Sequence, residues 1–372
     1  MTRTYTAKRR ELATLRLSAQ WITGAPATAT PADAVRNLLA VQAQDFAGAK
    51  WSVGLRSPGA TDVSVEASLA AGDVVRSWPM RGTLHFVPPD DLGWMLSLTA
   101  ARTIRSAAGR HRDLGLDEPE FERAREVAFG ELSGGRALAR DELLARFVDA
   151  GISTDGQRGV HILQRLCLWR VIVFGPVRGK QQTFVLLDEW VLRPRTLEHD
   201  EALGEFAARY FAGHGPATVR DFAWWSSLTL ADARRGLEMA RPGLDELVVD
   251  ETPYFLPRDT TAAAGRAVHA LPGFDEYLLG YQDRSAPLAT EHSELVVPGK
   301  NGLFLPTIVV NGEIVGTWRR TTTTTGVTVE AQPFAPLSTR DSAAFDAAAS
   351  RYARFVGRPI VRPAASAVLP RS

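Results

Sequence analysis

Two glutamines two residues apart, Gln42 and Gln44 with Ala43 between them, have a spacing that invites a chemical reading. A glutamine carbonyl accepts a hydrogen bond from a water, and its oxygen dipole can face developing positive charge. A neutral amide is a poor general base, so such a pair works by placement and electrostatics rather than by taking a proton. Residues i and i+2 share a face only where the chain is extended. In a helix they point about 160° apart. The pair is therefore expected where a helix ending near Val41 opens out. An isolated Gln-x-Gln is also what ordinary polar residues at a helix end look like.

Other familiar chemistries find no pattern. The seven histidines are scattered without metal-ligand spacing, so neither a metal nor any other cofactor is expected. Gly213-x-Gly215 has no strand leading into it and no P-loop lysine after it, and no G-x-S-x-G elbow occurs. Only four lysines, Lys8, Lys50, Lys180 and Lys300, are available for Schiff-base chemistry. Cys167 is the single cysteine, so no disulfide within the chain is possible, and its apolar neighbours predict a buried thiol. The chain of 372 residues is 45% hydrophobic and 23% charged, ample for several packed units and unlike a disordered tail protein. Its formal net charge of +1 gives no bulk support for nucleic-acid binding, although a local basic face would serve. No signal peptide or run of about 18 apolar residues is present, and the expected location is the cytoplasm without membrane contact.

The elements that must position these residues repeat in kind. Helical patterns over 9–21, 32–41 (after Pro31) and 64–71 precede strand-like runs at 74–78 and 83–87. A long helix over 90–110 leads out. Helices at 118–132, 140–150 and 159–170 then precede a hairpin of 171–175 and 182–187, turned near Gly179-Lys180. Helices at 201–211, 217–225 and 230–240 precede a third hairpin, 244–249 and 253–256. Three helices followed by a hairpin is the order of a winged helix. The C-terminal region changes character. A run over 302–310 meets Asn311-Gly312, a type I′ hairpin signal, and returns over 314–320. The β-compatible run 321–325 and a strand at 326–331 follow, and a helix over 342–355 closes. The predicted fold class is α+β: three tandem winged helix-turn-helix motifs and a C-terminal β-rich region. Boundaries fall at 8–110, 111–195, 196–258 and 259–358, with a loose tail over 359–372.

Several segments taken together resemble the AlkZ/YcaQ family of winged-helix DNA glycosylases. They are Val41-Gln42-Ala43-Gln44; Arg81-Gly82-Thr83-Leu84-His85-Phe86; Gly213-His214-Gly215-Pro216-Ala217-Thr218 with Asp221-Phe222 and Trp224-Trp225; Leu271-Pro272-Gly273-Phe274-Asp275-Glu276-Tyr277-Leu278-Leu279-Gly280-Tyr281 with Asp283-Arg284; and Asn311-Gly312 with Gly316-Thr317-Trp318-Arg319. The likeness runs over about residues 8–356. It implies a C-shaped, monomeric protein holding double-stranded DNA with alkylated purines, and monofunctional excision of N7-alkylated bases. Some members unhook interstrand crosslinks or remove bulky natural-product adducts. Gln42-Ala43-Gln44 matches the AlkZ branch of the family's catalytic signature, which makes Gln42 and Gln44 the implied catalytic residues. An N7-alkylpurine is already cationic and leaves readily, so positioning water and stabilising the sugar cation suffice. The alternative is a non-catalytic winged-helix DNA-binding protein or regulator.

The remaining candidates carry open readings. Thr83 and His85 share a predicted strand face, and with Arg81 they stand near the lesion or a phosphate. Otherwise they belong to a wing on the next helix, with His85 buried and hydrogen-bonded. Among Asp275, Asp283 and Arg284, a carboxylate binds water or orients a glutamine, or else forms an internal salt bridge; Arg284 is expected on DNA. Arg319 and Arg320 end a hairpin strand and suit phosphate or groove contact, or are solvated edge charges. Trp224 and Trp225 read as core, and His214 as a turn histidine capping the next helix.

Overall fold

Helix starts follow the capping chemistry of the sequence. Thr30, Thr61 and Thr218 each accept a hydrogen bond from the backbone N–H three residues on, and Pro31 occupies a first helical turn where no N–H is needed. The structure, a computed structural model, describes residues 4–6, 8–179, 181–263, 265–300 and 302–361. Lys180 and the tail from 362 onward lie outside them.

The chain opens with β1 (Thr4–Thr6) and α1 (Arg9–Ala19). The first unit holds α2 (Pro31–Leu38), β2 (Val41–Gln42), α3 (Phe46–Leu55), α4 (Asp62–Ala70), β3 (Val75–Met80) and β4 (Thr83–Val87). The 25-residue helix α5 (Pro89–Asp113) leads to α6 (Glu118–Leu132), β5 (Leu138–Ala139), α7 (Arg140–Asp149), α8 (Arg158–Leu168), β6 (Ile172–Arg178) and β7 (Gln181–Leu186). A short α9 (Leu187–Trp190) precedes the third set: α10 (His199–His214), α11 (Val219–Ser226), α12 (Leu230–Ala240), β8 (Leu244–Val249) and β9 (Thr252–Pro257). The C-terminal region has β10 (Val268–Leu271), α13 (Glu276–Leu279), α14 (Ser293–Val296), β11 (Thr307–Val310), β12 (Glu313–Thr322), β13 (Val327–Pro333) and α15 (Thr339–Phe355). Three helix–hairpin units in series and a four-stranded antiparallel sheet, β10-β11-β12-β13, give the α+β class.

The first two wings are not separate ribbons. They join edge to edge in a six-stranded sheet, β2-β4-β3-β6-β7-β5, through the pair Arg76↔Phe174. The hairpin turn before β4 has φ +55° at Arg81 and +66° at Gly82, the positive-φ pair of a type I′ turn. Asn311-Gly312 repeats this with φ +50° and +90°.

Three departures from the sequence reading have physical causes. Helix α3 carries two glycines and is apolar on nearly all sides, so it lacks the one-sided periodicity that marks a surface helix; eight of its ten residues are buried. Gly54 in α3 lets Phe355 of α15 approach, since a Cβ there would lie 2.3 Å from the ring. Second, α1 sits on the third hairpin rather than in the first unit. Leu12 and Leu15 pack with Leu247, Val249, Tyr254 and Leu256, and β1 pairs parallel with β8. Third, β11 begins only at Thr307, after Pro306, whose missing N–H cannot join the ladder. Among the described residues no helix is long and apolar enough to cross a membrane.

Candidate active site

Helix α2 stops at Leu38, and Leu39 takes φ +63°, which turns the chain out of the helix. The next residues are extended. Gln42 lies in β2, in register with His85, and Ala43 N–H donates to Leu84 O at 2.7 Å. Gln42 is 9% exposed, whereas Gln44 is exposed, its Oε1 accepting from Leu84 N–H at 3.2 Å. Asp45 then caps α3 by accepting from Gly48 N–H. The Gln42–Gln44 segment is thus the extended hinge between two capped helices.

Two side-chain charges, one buried and one half-buried, hold its backbone. Glu276 on α13 is fully buried, and its Oε1 accepts from Gln42 N–H at 3.0 Å. Its Oε2 accepts from Trp225 Nε1 at 2.8 Å and stands 3.5 Å from His214 Nε2. Burial opposes this carboxylate's charge, but the His214 contact and the field of Arg81 outweigh burial and hold its pKa at about 2. On the other side Arg76 of β3 donates to Ala43 O through Nε at 3.1 Å and Nη2 at 2.7 Å, and through Nη1 to Gln182 Oε1 at 2.9 Å. Its guanidinium also lies over Phe46 and Phe174 at 5.1 and 5.0 Å. Burial lowers its pKa to about 10.

Helix α13 is itself anchored. Asp275 caps it by accepting from Tyr277 N–H, and Arg56 forks onto both Asp275 oxygens at 2.8 and 2.9 Å. Ser52 adds a hydrogen bond at 2.7 Å. Gln20 joins this group to the next, since its Oε1 accepts from Arg56 and its amide donates to Glu276 O. Of the readings open for the loop carboxylates, Asp275 therefore makes the internal salt bridge, and Asp283 closes a turn on Ser285 N–H. The carboxylate that reaches the glutamine segment is Glu276, which sequence reasoning did not single out. The available signal was an acid inside the apolar run 271–281.

His85 is fully buried with both ring nitrogens engaged. Thr83 O can only accept, so Nδ1 carries the hydrogen; Arg81 can only donate, so Nε2 receives it at 3.0 Å. Burial, with Arg81 adding to it, drives the pKa to about 3 and keeps the ring neutral. This geometry turns His85 inward and gives it no direct access to a duplex. Thr83 is half-buried, with its hydroxyl enclosed. Arg81 is half-buried and donates to Leu279 O. Arg284 is likewise half-buried and donates to Leu278 O.

Trp225 is core, but Trp224 is only half-buried. Arg81 and Arg284 lie over its ring at 5.2 and 5.0 Å, and the exposed Arg102 and Arg220 border the same open hollow. Arg319 is exposed, while Arg320 is half-buried, 3.6 Å from Asp45 and over Tyr352. His214 does not cap the following helix. Thr218 and Asp221 do, and His214 ends α10, stacked on Tyr210. Cys167 is buried, which raises its thiol pKa. No cluster of three or more His, Cys, Asp or Glu residues arranged for a metal occurs among the described residues.

Gln44 stands on the rim of a cleft of about 660 Å³ between the first wing and α8 with the second wing. Phe46, Trp78, Phe174, Phe184 and Arg76 line it.

A profile of the family described as DNA glycosylase AlkZ-like matches residues 35–355, most of the chain. The chain belongs to this family. The interstrand DNA cross-link repair glycosylase of Streptomyces sahachiroi is 31% identical over 305 residues, 77% of this chain and 81% of that protein. The solved structure of the Streptomyces sahachiroi DNA glycosylase AlkZ superposes with a TM-score of 0.79 at 27% identity, covering 96% of this chain and 100% of that one. An AlkZ-like chain is a DNA glycosylase by family, with DNA as its substrate. In this AlkZ-like protein the Gln-x-Gln segment is where a buried carboxylate and a half-buried guanidinium converge on one stretch of backbone.

Proposed function

We propose that this AlkZ-like protein is a monofunctional DNA glycosylase that hydrolyses the N-glycosidic bond of N7-alkylated purines. Bulky adducts and interstrand crosslinks fall within its range. The observation that carries this reading is the extended Gln42-Ala43-Gln44 segment gripped by Glu276 and Arg76. That grip fixes the backbone that carries both neutral amides, with Gln44 at the rim of an accessible cleft. Amides suit a leaving group that is already cationic. The C1′–N9 bond breaks, its electron pair neutralises the departing base, and positive charge develops on the sugar. The glutamine carbonyls face that charge and hold a water against C1′. The water adds to C1′ and its proton passes to solvent, leaving an abasic site. A crosslinked base cannot rotate out of the helix, so the lesion stays largely in the stack, unlike the flipped base of many glycosylases.

For the duplex we assign phosphate contact to the exposed Arg319, with Arg320 beside it, and to the arginines around Trp224. Arg81 lines that basic hollow, and Arg284 stands over the Trp224 ring that borders it. Thr83 and His85 support Arg81 from beneath and act on DNA through it.

The test is base release from a duplex bearing N7-methylguanine, read as abasic sites. The double variant Gln42→Ala, Gln44→Ala is expected to lose at least about 100-fold in rate, the scale for removing positioned dipoles. Duplex affinity is expected to stay within about threefold. Undiminished release would remove the glutamines from the mechanism. Sequence-selective binding of undamaged DNA, with no release by the unaltered protein, would favour the regulator instead.

A further inference from the structure

The cleft beside Gln44 has features that a plain gap between two winged units does not need. Phe86, Arg76, Phe174 and Phe184 stand in register across four successive strands, so their side chains share one face of the joined sheet. On that face Phe174 packs against Phe184 at 4.4 Å and Trp78 at 5.4 Å. Phe46 comes in from α3 over Arg76. Phe46 and Phe174 are only half-buried, so the aromatic wall is open to a ligand. About 660 Å³ lies in the range of small-molecule sites and far exceeds what a methyl group requires.

The charge in the cleft narrows the occupant. Arg140 and Asp141 also border the cleft but are exposed and of opposite charge, whereas Arg76 is half-buried and largely desolvated, its partners being a backbone carbonyl, an amide oxygen and two aromatic rings. Among the described residues no carboxylate lies within ion-pair distance of it. A cationic N7-alkylpurine pushed in beside this uncompensated charge would be repelled. A neutral aromatic group would be favoured, because its π-face completes a stack and acceptors on its edge reach guanidinium and glutamine N–H groups.

Building on the glycosylase reading, we propose that this cleft is a receptor for the neutral aromatic substituent of a bulky N7 adduct, while the charged purine stays outside at the glutamines. Because Arg76 grips Ala43 O, filling the cleft and fixing the Gln42–Gln44 segment involve the same side chain. Arg76 is a positioning residue that couples adduct size to the alignment of the amides.

The experiment compares base release from duplexes bearing N7-methylguanine or N7-(biphenylmethyl)guanine under single turnover. The proteins are the unaltered chain and two occluding variants, Val160→Trp from α8 and Gln181→Trp from β7. Both positions border the cleft and are exposed, so neither change disturbs the core. The ratio of the biphenylmethyl rate to the methyl rate is expected to fall at least about tenfold in both variants, the scale of selectivity a hydrophobic pocket provides. An unchanged ratio overturns the proposal. So does an equal loss on both lesions, which would mean that the base itself enters the cleft. If the unaltered chain releases neither base, the glycosylase reading fails and this proposal falls with it. Release of both with no change in ratio fails the cleft alone.

Discussion

Gln42 lies 9% exposed with its N–H on a fully buried carboxylate, whereas Gln44, two residues on, is exposed at the rim of an aromatic cleft. The two sides of the segment are held by opposite charges in opposite company. Glu276 collects donors from a strand and an indole, beside an imidazole. Arg76 has a carbonyl, an amide and two rings but, among the described residues, no counter-ion. The anion's side is part of the core and is stiff because each carboxylate oxygen is held by a buried donor. The cation's side is part of a cavity and remains open to a further partner. Catalytic geometry can therefore be rigid where the protein must hold it and responsive where the substrate arrives.

This contrast can be broken most forcefully at Glu276. Glu276→Ala strands the Gln42 and Trp225 N–H groups and leaves Arg81 without its nearby anion. The expected loss is about 3–5 kcal/mol of stability, read as a lower midpoint in urea unfolding, with base release falling alongside. A loss below about 1 kcal/mol would show that the carboxylate is not the keystone of this region. Arg76→Met should cost less, roughly 1–3 kcal/mol, because it leaves Ala43 O and Gln182 Oε1 short of a donor but no orphaned charge. Here base release is expected to fall further than stability explains, and Arg76→Lys, which cannot fork onto Ala43 O, should recover little of it. Full recovery by lysine would reduce the guanidinium's role to charge alone.

The smallest effect is a pH slope. His85 is held near pKa 3 against an ordinary 6.5, so the unfolded chain binds a proton that the folded chain refuses between those values. Stability should therefore fall as pH drops below 6.5. Glu276, held near 2 against 4.5, adds a second proton's worth below pH 4.5, its contribution being lost as pH falls towards 2. Each proton contributes roughly 1.4 kcal/mol per pH unit within its window. Burial also lowers His111 and His269 to about 4, so they share the upper window, and His85→Phe should remove one proton's share of the slope there and leave the rest. An unchanged slope between pH 6.5 and 4.5 would place the titration elsewhere.

The fold was largely legible because winged units announce themselves by periodicity and punctuation. Helices 118–132 and 230–240 and strand 83–87 coincide with the observed bounds. Helix α3 was illegible because a helix buried on all sides has no polar face to set its period. The glutamine segment was visible as a motif, and its extended form follows from i,i+2 geometry. Its supports were not visible, because Glu276 and Arg76 lie 234 residues downstream of Gln42 and 33 residues from Ala43, and only the tertiary fold joins them. His85 shows the limit of face arguments. Two residues on one strand face can point at the core as readily as at a ligand, and here the core holds His85.

The seat of α1 on the third hairpin has a consequence for biosynthesis. Leu12 and Leu15 leave the ribosome well ahead of their partners Leu247 and Leu256, which follow more than 230 residues later. At roughly 5–20 residues per second that is a delay on the order of tens of seconds. During it, an amphipathic helix waits with its apolar stripe uncovered. Its docking is the late step that closes the chain on itself, and the nascent protein needs protection there until the third wing has been made.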